Sequence, residues 1–195
     1  MNFSSSKTDT RSNNTCIIFL ALVLAFIFTC NDGDGADISF PFADRQGFSE
    51  SKISFDEIVY DAEGNSVTLE KLKGNVVILC FSTTWCPNCP SVLMSLDKLS
   101  EILKNRGVDN VKILALNVGE DSLETLKEHY SGNNIRNLKL YKSISSDVMK
   151  KMNILGVPTC LFFDAEGKCV GSYVGGDIDY SSDEFVSYAE KLSAK

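Results

Sequence analysis

The chain has 195 residues, 44% of them hydrophobic, which is enough for one globular domain of ordinary size together with a targeting segment. Its net charge of −7 and its pI near 4.8 leave no basic face, and this excludes nucleic acid as a partner. Seven cysteines are many for a reducing cytosol, so the compartment is judged from the N-terminus instead.

The N-terminal segment has the pattern of an export signal. Basic residues precede an unbroken apolar run over residues 16–28, which is shorter than the roughly 20 residues of a membrane span. Three fates stay open: an uncleaved anchor formed by residues 16–29, cleavage near Asp37, or lipid attachment at Cys30. The pattern predicts a periplasmic or cell-envelope protein, anchored to the inner membrane by residues 16–29 in the case of an uncleaved segment.

A linker and a folded domain follow the signal. Residues 31–50 are rich in Asp, Gly and Ser and show no hydrophobic period, which is typical of a linker. We therefore divide the chain into a signal or anchor segment at 1–30, a linker at 31–50 and one domain at 51–195.

The domain begins with short strands. Residues 53–55, 58–60 and 67–69 have strand character, and the turn residues at 61–65 predict a hairpin between the last two. The continuous apolar run Val76–Phe81 then predicts a strand buried on both faces, in the centre of the sheet.

Helical and strand patterns alternate in the rest of the domain. Apolar residues recur at helical spacing up to residue 103, after a predicted helix start near Cys86, and a buried-type strand follows at 111–118. The later predicted elements are a helix opened by Asp121 and Glu124, a strand at 138–141, a short helix at 145–153, an antiparallel hairpin of 159–163 and 169–174, and a final helix opened by Ser181 and Glu184. The alternation predicts a parallel sheet with helical crossovers.

The motif Trp85-Cys86-Pro87-Asn88-Cys89 carries the chemistry. Two cysteines three apart, between a strand and a helix, form a dithiol suited to thiol–disulfide exchange. A helix that starts near Cys86 would place this sulfur where unpaired N–H groups and the helix dipole favour a thiolate. Cys89, one turn further on, would resolve the mixed disulfide. Cys86 and Cys89 are the predicted catalytic residues, and the reaction needs no metal and no organic cofactor.

The other cysteines favour simpler interpretations. A zinc site usually has a second cysteine pair at similar spacing, whereas Cys160 and Cys169 are nine residues apart and His129 lies in a polar pattern. Cys80 and Cys160 fall on strands that could be neighbours near the dithiol, which would allow a further redox-active thiol. We favour buried hydrophobic roles for Cys80, Cys160 and Cys169.

The order of elements, the Trp-Cys-x-x-Cys motif and Gly156-Val157-Pro158-Thr159 together resemble the thioredoxin superfamily over residues 53–192. The chain is more similar to exported redoxins (AhpC/TSA-type) of the TlpA, ResA and cytochrome c maturation kind, which share the lead-in that runs from Leu72 to Cys86. The resemblance implies an α/β thioredoxin-like fold: a central mixed sheet flanked by helices, with an N-terminal hairpin and a central strand–helix insertion between Val118 and Ser145.

The resemblance also implies three substrate-binding residues. Pro158 is expected to be cis and to lie against the disulfide, where it presents the backbone of Val157 to a bound peptide, although base rates alone favour a trans bond. Trp85 is expected to be the aromatic flank of the site, with plain packing as the alternative.

Three positions depart from the family pattern. Cys80 stands where thioredoxins have a buried Asp, and Val92 stands where relatives of the ResA kind have a Glu. Deprotonation of Cys89 therefore requires Glu120 or another group brought close by the fold. Pro90, four positions into the predicted helix, is expected to remove a backbone hydrogen bond and to distort the first turn.

The leading hypothesis is a thiol–disulfide oxidoreductase, by resemblance a reductase of exported cysteine pairs such as apocytochrome c haem sites, supplied with electrons by a membrane thiol transporter. A periplasmic disulfide oxidase is the first alternative. A peroxiredoxin-type thiol peroxidase is the second: Thr83 stands three residues before Cys86 as in that pattern, but Leu79 replaces the expected proline. A redox-inert binding or metal-chaperone module is a third class, which the intact dithiol disfavours.

Overall fold

The computed structural model describes residues 57–145 and 147–195, which form a seven-stranded sheet with flanking helices. The strands are β1 (Ile58–Tyr60), β2 (Ser66–Thr68), β3 (Val76–Ser82), β4 (Val111–Asn117), β5 (Lys139–Ser143), β6 (Thr159–Phe163) and β7 (Cys169–Val174). The helices are α1 (Cys89–Asn105), α2 (Leu123–Gly132), α3 (Asp147–Lys151) and α4 (Asp183–Ser193), and a 3-10 turn covers Leu69–Leu72. The strand order in the sheet is β2-β1-β5-β4-β3-β6-β7.

The sheet is parallel in its centre and antiparallel at both sides. β3, β4 and β5 pair in parallel, and α1 and α2 lie in the connections between them, as the alternating pattern predicted. β6 pairs antiparallel with β3, β7 with β6, and β1 with both β2 and β5. The mixed sheet, the N-terminal hairpin and the inserted α2 and β5 confirm the expected fold class.

β3 is the central strand of the core, since all seven of its residues are buried. Alternate side chains serve two apolar layers: Ile78 and Cys80 pack with residues of α1, α2 and α4, whereas Leu79 and Phe81 pack with residues of α3 and the 3-10 turn. Each fully buried side chain of this size contributes about 1.5–3 kcal/mol to folding. The loop that carries the cysteine motif therefore leaves a strand held on both faces.

An aromatic cluster holds α4 and the loop before it against β6. The ring of Tyr180, which is fully buried, meets Phe185 edge-on at 4.9 Å and lies 6.1 Å from Phe162. Such aromatic pairs add about 0.5–1.5 kcal/mol beyond their burial. The segment between β7 and α4 is thus anchored at its α4 end.

Helix α1 begins at Cys89, so the predicted start near Cys86 is wrong. Pro90 gives the reason: within the first helical turn its missing N–H has no helical partner to lose, and proline favours such positions. Cys86 lies in a preceding turn, where its carbonyl accepts a hydrogen bond from the Cys89 N–H at 3.3 Å. The lost bond expected at Pro90 therefore does not arise.

Two other helix starts move by one residue. The caps are Ser122 for α2 and Ser182 for α4, whose hydroxyls accept the N–H of Thr125 at 3.1 Å and of Phe185 at 3.4 Å. The predicted start residue Asp121 binds elsewhere, because its carboxylate accepts the Thr84 hydroxyl. Ser181 similarly donates to Asp179.

Several predictions fall outside the described residues: the strand at 53–55, the linker at 31–50 and the N-terminal segment at 1–30. Across residues 57–145 and 147–195, no helix combines the length and the apolar character that crossing a membrane requires.

Candidate active site

Cys86 and Cys89 are joined by a disulfide at the N-terminal end of α1, with their Cα atoms 5.4 Å apart. Cys89 is the first helical residue, and Cys86 lies in the turn that follows the end of β3. The two cysteines differ in exposure, since Cys86 retains 3% and Cys89 none. The two cysteines of the predicted dithiol are thus bonded to each other, and Cys86 is the slightly more exposed residue of the two.

The register of the sheet places Pro158 beside the end of β3, where the loop that carries the cysteines begins. β6 begins at Thr159, which pairs with Phe81 near the end of β3, so the residues before β6 adjoin the loop that carries the cysteines. The Val157–Pro158 bond is cis, which confirms that expectation. Pro158 is buried, and its carbonyl accepts the N–H of Gly175 at 3.0 Å.

A groove of about 690 Å³ opens beside the disulfide loop. Its apolar wall includes Trp85, Leu155 and Val157, and its acidic wall includes Glu120 and Asp121. Trp85 is 74% exposed and Leu155 78% exposed, so the alternative that Trp85 is simply packed in the core is wrong. The groove joins Trp85 and Val157, two of the three predicted substrate-binding residues, on one surface.

The loop after β4 brings a carboxylate to the cysteine loop. Thr84 lies two residues before Cys86, and its hydroxyl donates a hydrogen bond of 2.7 Å to the Asp121 carboxylate. Lys142 donates to the backbone carbonyls of Asp121 and Glu120 and holds that loop in place. The two positions at which relatives have a carboxylate are Cys80 and Val92 in this chain. Asp121 is instead an acid that the fold connects, through Thr84, to the residues just before the motif.

Cys80 and Cys160 face each other directly across β3 and β6, as the sequence interpretation of neighbouring strands anticipated. Both are buried free thiols. Burial, with a smaller effect of the neighbouring Cys160 sulfur, raises the pKa of the Cys80 thiol well above its usual value. A protonated buried thiol is a poor nucleophile, which supports the hydrophobic interpretation of Cys80.

Cys169 lies on the other face of the sheet, in the layer that includes Leu79 and Phe81, and its thiol donates to the Gly171 carbonyl. Within residues 57–145 and 147–195, no three His, Cys, Asp or Glu side chains are grouped as metal ligands. The Cys86–Cys89 pair therefore has no second ligand pair beside it in this part of the chain.

Two features of the site were missed by the sequence interpretation. Asp97 accepts the backbone N–H groups of Arg136, Asn137 and Leu138 at 2.6–2.9 Å, which ties α1 to the connection before β5. A lone Asp on the apolar face of a predicted helix was the available signal.

The Gly175–Gly176 pair after β7 contacts both Pro158 and the cysteine turn, and its signal was the double glycine itself.

Comparison with known proteins identifies the family. Residues 50–171 match the model of the AhpC/TSA family. The chain belongs to that family. Thiol-disulfide oxidoreductase ResA of Bacillus cereus (strain ZK) is 27% identical over 183 residues, a match that covers 91% of this chain and 94% of the relative.

Solved structures agree on the fold. StoA from Bacillus subtilis superposes with a TM-score of 0.54 and 20% identity, covering 67% of this chain and 93% of StoA. BsSco, a member of the Sco family of cytochrome c oxidase assembly proteins, has a TM-score of 0.60 and 19% identity and covers 74% of this chain and 95% of its own. The fold is thioredoxin-like, and with its family and its ResA relatives the protein is a redoxin-type thiol–disulfide oxidoreductase.

Proposed function

We propose that Cys86 and Cys89 are the catalytic pair of this oxidoreductase and that it reduces disulfides in exported proteins. The observation that carries the proposal is the Cys86–Cys89 disulfide itself, at the start of α1 and beside a groove that reaches Trp85; the cis Pro158 at the start of the neighbouring strand β6 supports it. The residual exposure of Cys86 and the complete burial of Cys89 support a division of labour, in which Cys86 meets the partner and Cys89 resolves.

In the reductive direction the Cys86 thiolate attacks one sulfur of the substrate disulfide. A mixed disulfide forms, and the second substrate sulfur leaves as a thiolate that takes up a proton. The Cys89 thiolate then attacks the Cys86 sulfur, which releases the reduced substrate and closes the enzyme disulfide. A thiol donor restores the Cys86–Cys89 dithiol. Cys86 precedes the 17-residue helix α1, but the disulfide shows that its sulfur reaches that of the first helical residue, so the N-terminal end of the helix favours the thiolate form of the attacking sulfur.

The substrate is a protein segment that contains cysteines, and it binds along the groove. Val157 offers its backbone beside Pro158, and Trp85 and Leu155 offer exposed apolar surface to the residues that flank the substrate cysteine. The relatives named thiol–disulfide oxidoreductase ResA support exchange with cysteine pairs. Exported cysteine pairs, such as apocytochrome c haem sites, are the proposed substrates, and a membrane thiol transporter is the proposed donor. A disulfide oxidase is the competing direction.

A trapping experiment tests the catalytic pair. Cys89→Ser removes the resolving sulfur, so we expect Cys86 to accumulate as a mixed disulfide with its partners when the variant is expressed with its full N-terminus. Diagonal electrophoresis and mass spectrometry of the reducible adducts would identify them. Cys169→Ser is the matched control, because it removes a buried sulfur on the other face of the sheet. Adducts absent from Cys89→Ser, or equally abundant in the control, would contradict the proposal.

A redox titration tests the direction. The protein is equilibrated with reduced and oxidised glutathione, and the Cys86–Cys89 state is read by alkylation and mass. A potential near that of thioredoxin, about −270 mV, is expected for a reductase. A value close to that of DsbA, about −120 mV, would replace the reductase by the oxidase.

A peroxidase is the second candidate, and Thr83 is the observation that favours it. Its hydroxyl is buried and has no hydrogen-bond partner in the described part of the chain, three residues before Cys86. In this reaction a peroxide would oxidise Cys86 to a sulfenic acid with release of water or alcohol, and Cys89 would displace water to form the disulfide. Stopped-flow consumption of hydrogen peroxide by the reduced protein decides, with Thr83→Val as the diagnostic variant.

The enzyme works in the periplasm or cell envelope in this proposal. Residues 1–30 are the export signal or membrane anchor, 31–50 the linker and 51–195 the thioredoxin-like domain, as the apolar run and the change of composition indicate. Fractionation of cells that express the full chain, with intact mass of the purified product, distinguishes a retained anchor, a cleaved signal and a lipidated Cys30. Recovery of the uncleaved chain in the cytosolic fraction would contradict an exported location.

A further inference from the structure

The loop between β7 and α4 touches the cysteine turn at one position, Gly176. A Cβ atom built on Gly176 would lie 2.6 Å from the Asn88 Cβ and 3.2 Å from its Cγ. Carbon atoms pack best at about 3.5–4.0 Å, so any side chain at 176 must displace Asn88 or the loop. Asn88 is the residue directly before Cys89, within the Cys86–Cys89 turn.

The loop is held in place on both sides of this contact. The Gly175 N–H donates to the Pro158 carbonyl at 3.0 Å, and the Tyr173 hydroxyl donates to the Asp177 carboxylate at 2.7 Å. The buried Tyr180 ring anchors the segment further along. A methyl group at Gly176 would therefore push mainly on Asn88, since the loop cannot withdraw without breaking these contacts.

We propose that Gly176 is a positioning residue for the redox pair: its missing side chain lets Asn88 seat against the loop and so stabilises the disulfide form of the Cys86–Cys89 turn. The inference rests on the proposed role of Cys86 and Cys89. The proposed effect of Gly176 on the two sulfurs is indirect, since it acts through Asn88.

The sign of the effect follows from the covalent link. The disulfide ties Cys86 to Cys89 and fixes the turn that carries Asn88, whereas the dithiol leaves this turn free to move away from a new methyl group. Gly176→Ala therefore destabilises the oxidised form of the protein more than the reduced form. The variant should be a stronger oxidant, with a disulfide that is reduced more readily.

The test is a double-mutant cycle on the exchange of the protein disulfide with two molecules of reduced glutathione, which yields the protein dithiol and one oxidised glutathione. We expect Gly176→Ala to raise the equilibrium constant for reduction about tenfold, which is about 30 mV for this two-electron couple. Asn88→Gly removes the Cβ that the new methyl group would meet. In the Asn88→Gly background, Gly176→Ala should change the equilibrium constant less than twofold, because the clash is gone.

Gly132→Ala is the matched control. Gly132 is the last residue of α2, and a Cβ there would meet nothing within 4 Å, so the potential should match that of the wild type. Equal shifts from Gly176→Ala in both Asn88 backgrounds, or no shift in either, would overturn the inference. Where Gly176→Ala fails to fold alone, recovery of a cooperative thermal transition in the Asn88→Gly background supports the contact, and continued misfolding overturns it.

The outcomes separate this inference from the proposed function. A wild-type Cys86–Cys89 pair that exchanges with glutathione, combined with an unchanged Gly176→Ala variant, removes the role of Gly176 and leaves the function intact. A wild-type pair that does not exchange with glutathione removes the function itself.

Discussion

One cysteine pair lies within the sheet and another just beyond the end of β3, and only the second pair is bonded. Cys80 and Cys160 face each other on adjacent strands as free thiols, whereas Cys86 and Cys89 form a disulfide just beyond the end of β3. The difference is one of environment. The strand pair is enclosed between apolar layers, where a thiolate is costly, and the other pair sits at a helix start beside a groove. We therefore expect that proximity of two sulfurs is insufficient for redox function.

The largest expected effect separates the pairs by activity. Cys86→Ser should lower the rate of disulfide reduction in an insulin turbidity assay by at least about 10³-fold, because the nucleophile is lost. Cys80→Ala should retain at least half of the rate, since this sulfur takes no part in exchange. A loss of activity in Cys80→Ala without a loss of folding would place the strand pair in the reaction and erase the contrast.

A second prediction compares the reactivity of the sulfurs in the folded, reduced protein. A short pulse of iodoacetamide at pH 8, followed by peptide mass mapping, should label Cys86 at least about 100-fold faster than Cys80 or Cys160. The reasons are that Cys80 and Cys160 lie within a core cluster, whereas Cys86 lies in the turn before α1, and that the pKa of the Cys80 thiol is raised. In guanidinium chloride the rates should become similar, and a contrast that persists there would show that the fold is not its cause.

The same contrast separates what the sequence could predict from what it could not. The strand β3 follows from a continuous apolar run, because such a run needs burial on both faces, and the hairpin of β6 and β7 follows from two strand-like segments joined by the turn residues 164–168. The proximity of Cys80 and Cys160 could be anticipated once β3 and β6 were taken as neighbouring strands. The Trp-Cys-x-x-Cys motif, placed between a strand and a helix and without a second cysteine pair at similar spacing, likewise indicated the pair that is bonded.

Helix starts and contacts distant in sequence were harder to predict. Asp121 and Ser122 are both able to open α2, and the choice depends on Thr84, which engages the Asp121 carboxylate from another loop. Gly176 meets Asn88 only because β7 pairs with β6 and β6 with β3. No local pattern contains such information, because the partner is supplied by the tertiary fold.

The smallest expected effect is a pH dependence of stability that comes from the buried thiol. Burial raises the pKa of Cys80 above the ordinary thiol value of 9.0, so in the folded state this thiol keeps its proton at a pH where the unfolded chain releases it. The free energy of unfolding is therefore unaffected by this thiol below pH 9. Above pH 9 it falls by up to about 1.4 kcal/mol per pH unit, because the unfolded chain releases one proton that the folded protein keeps.

Chemical denaturation at pH 8, 9 and 10 measures this slope. Cys80→Ala should lower the loss of unfolding free energy between pH 9 and pH 10, because the alanine cannot ionise in the unfolded chain. Gly132→Ala is the control that keeps both Cys80 and the Cys86–Cys89 disulfide, and it should retain the wild-type slope. Tyrosines with raised pKa values, among them Tyr130 and Tyr188, add a further loss above pH 10, so the comparison is confined to the lower interval. Equal slopes for Cys80→Ala and wild type would mean that Cys80 ionises as readily in the fold as outside it, and burial would then no longer explain why the strand pair is inert.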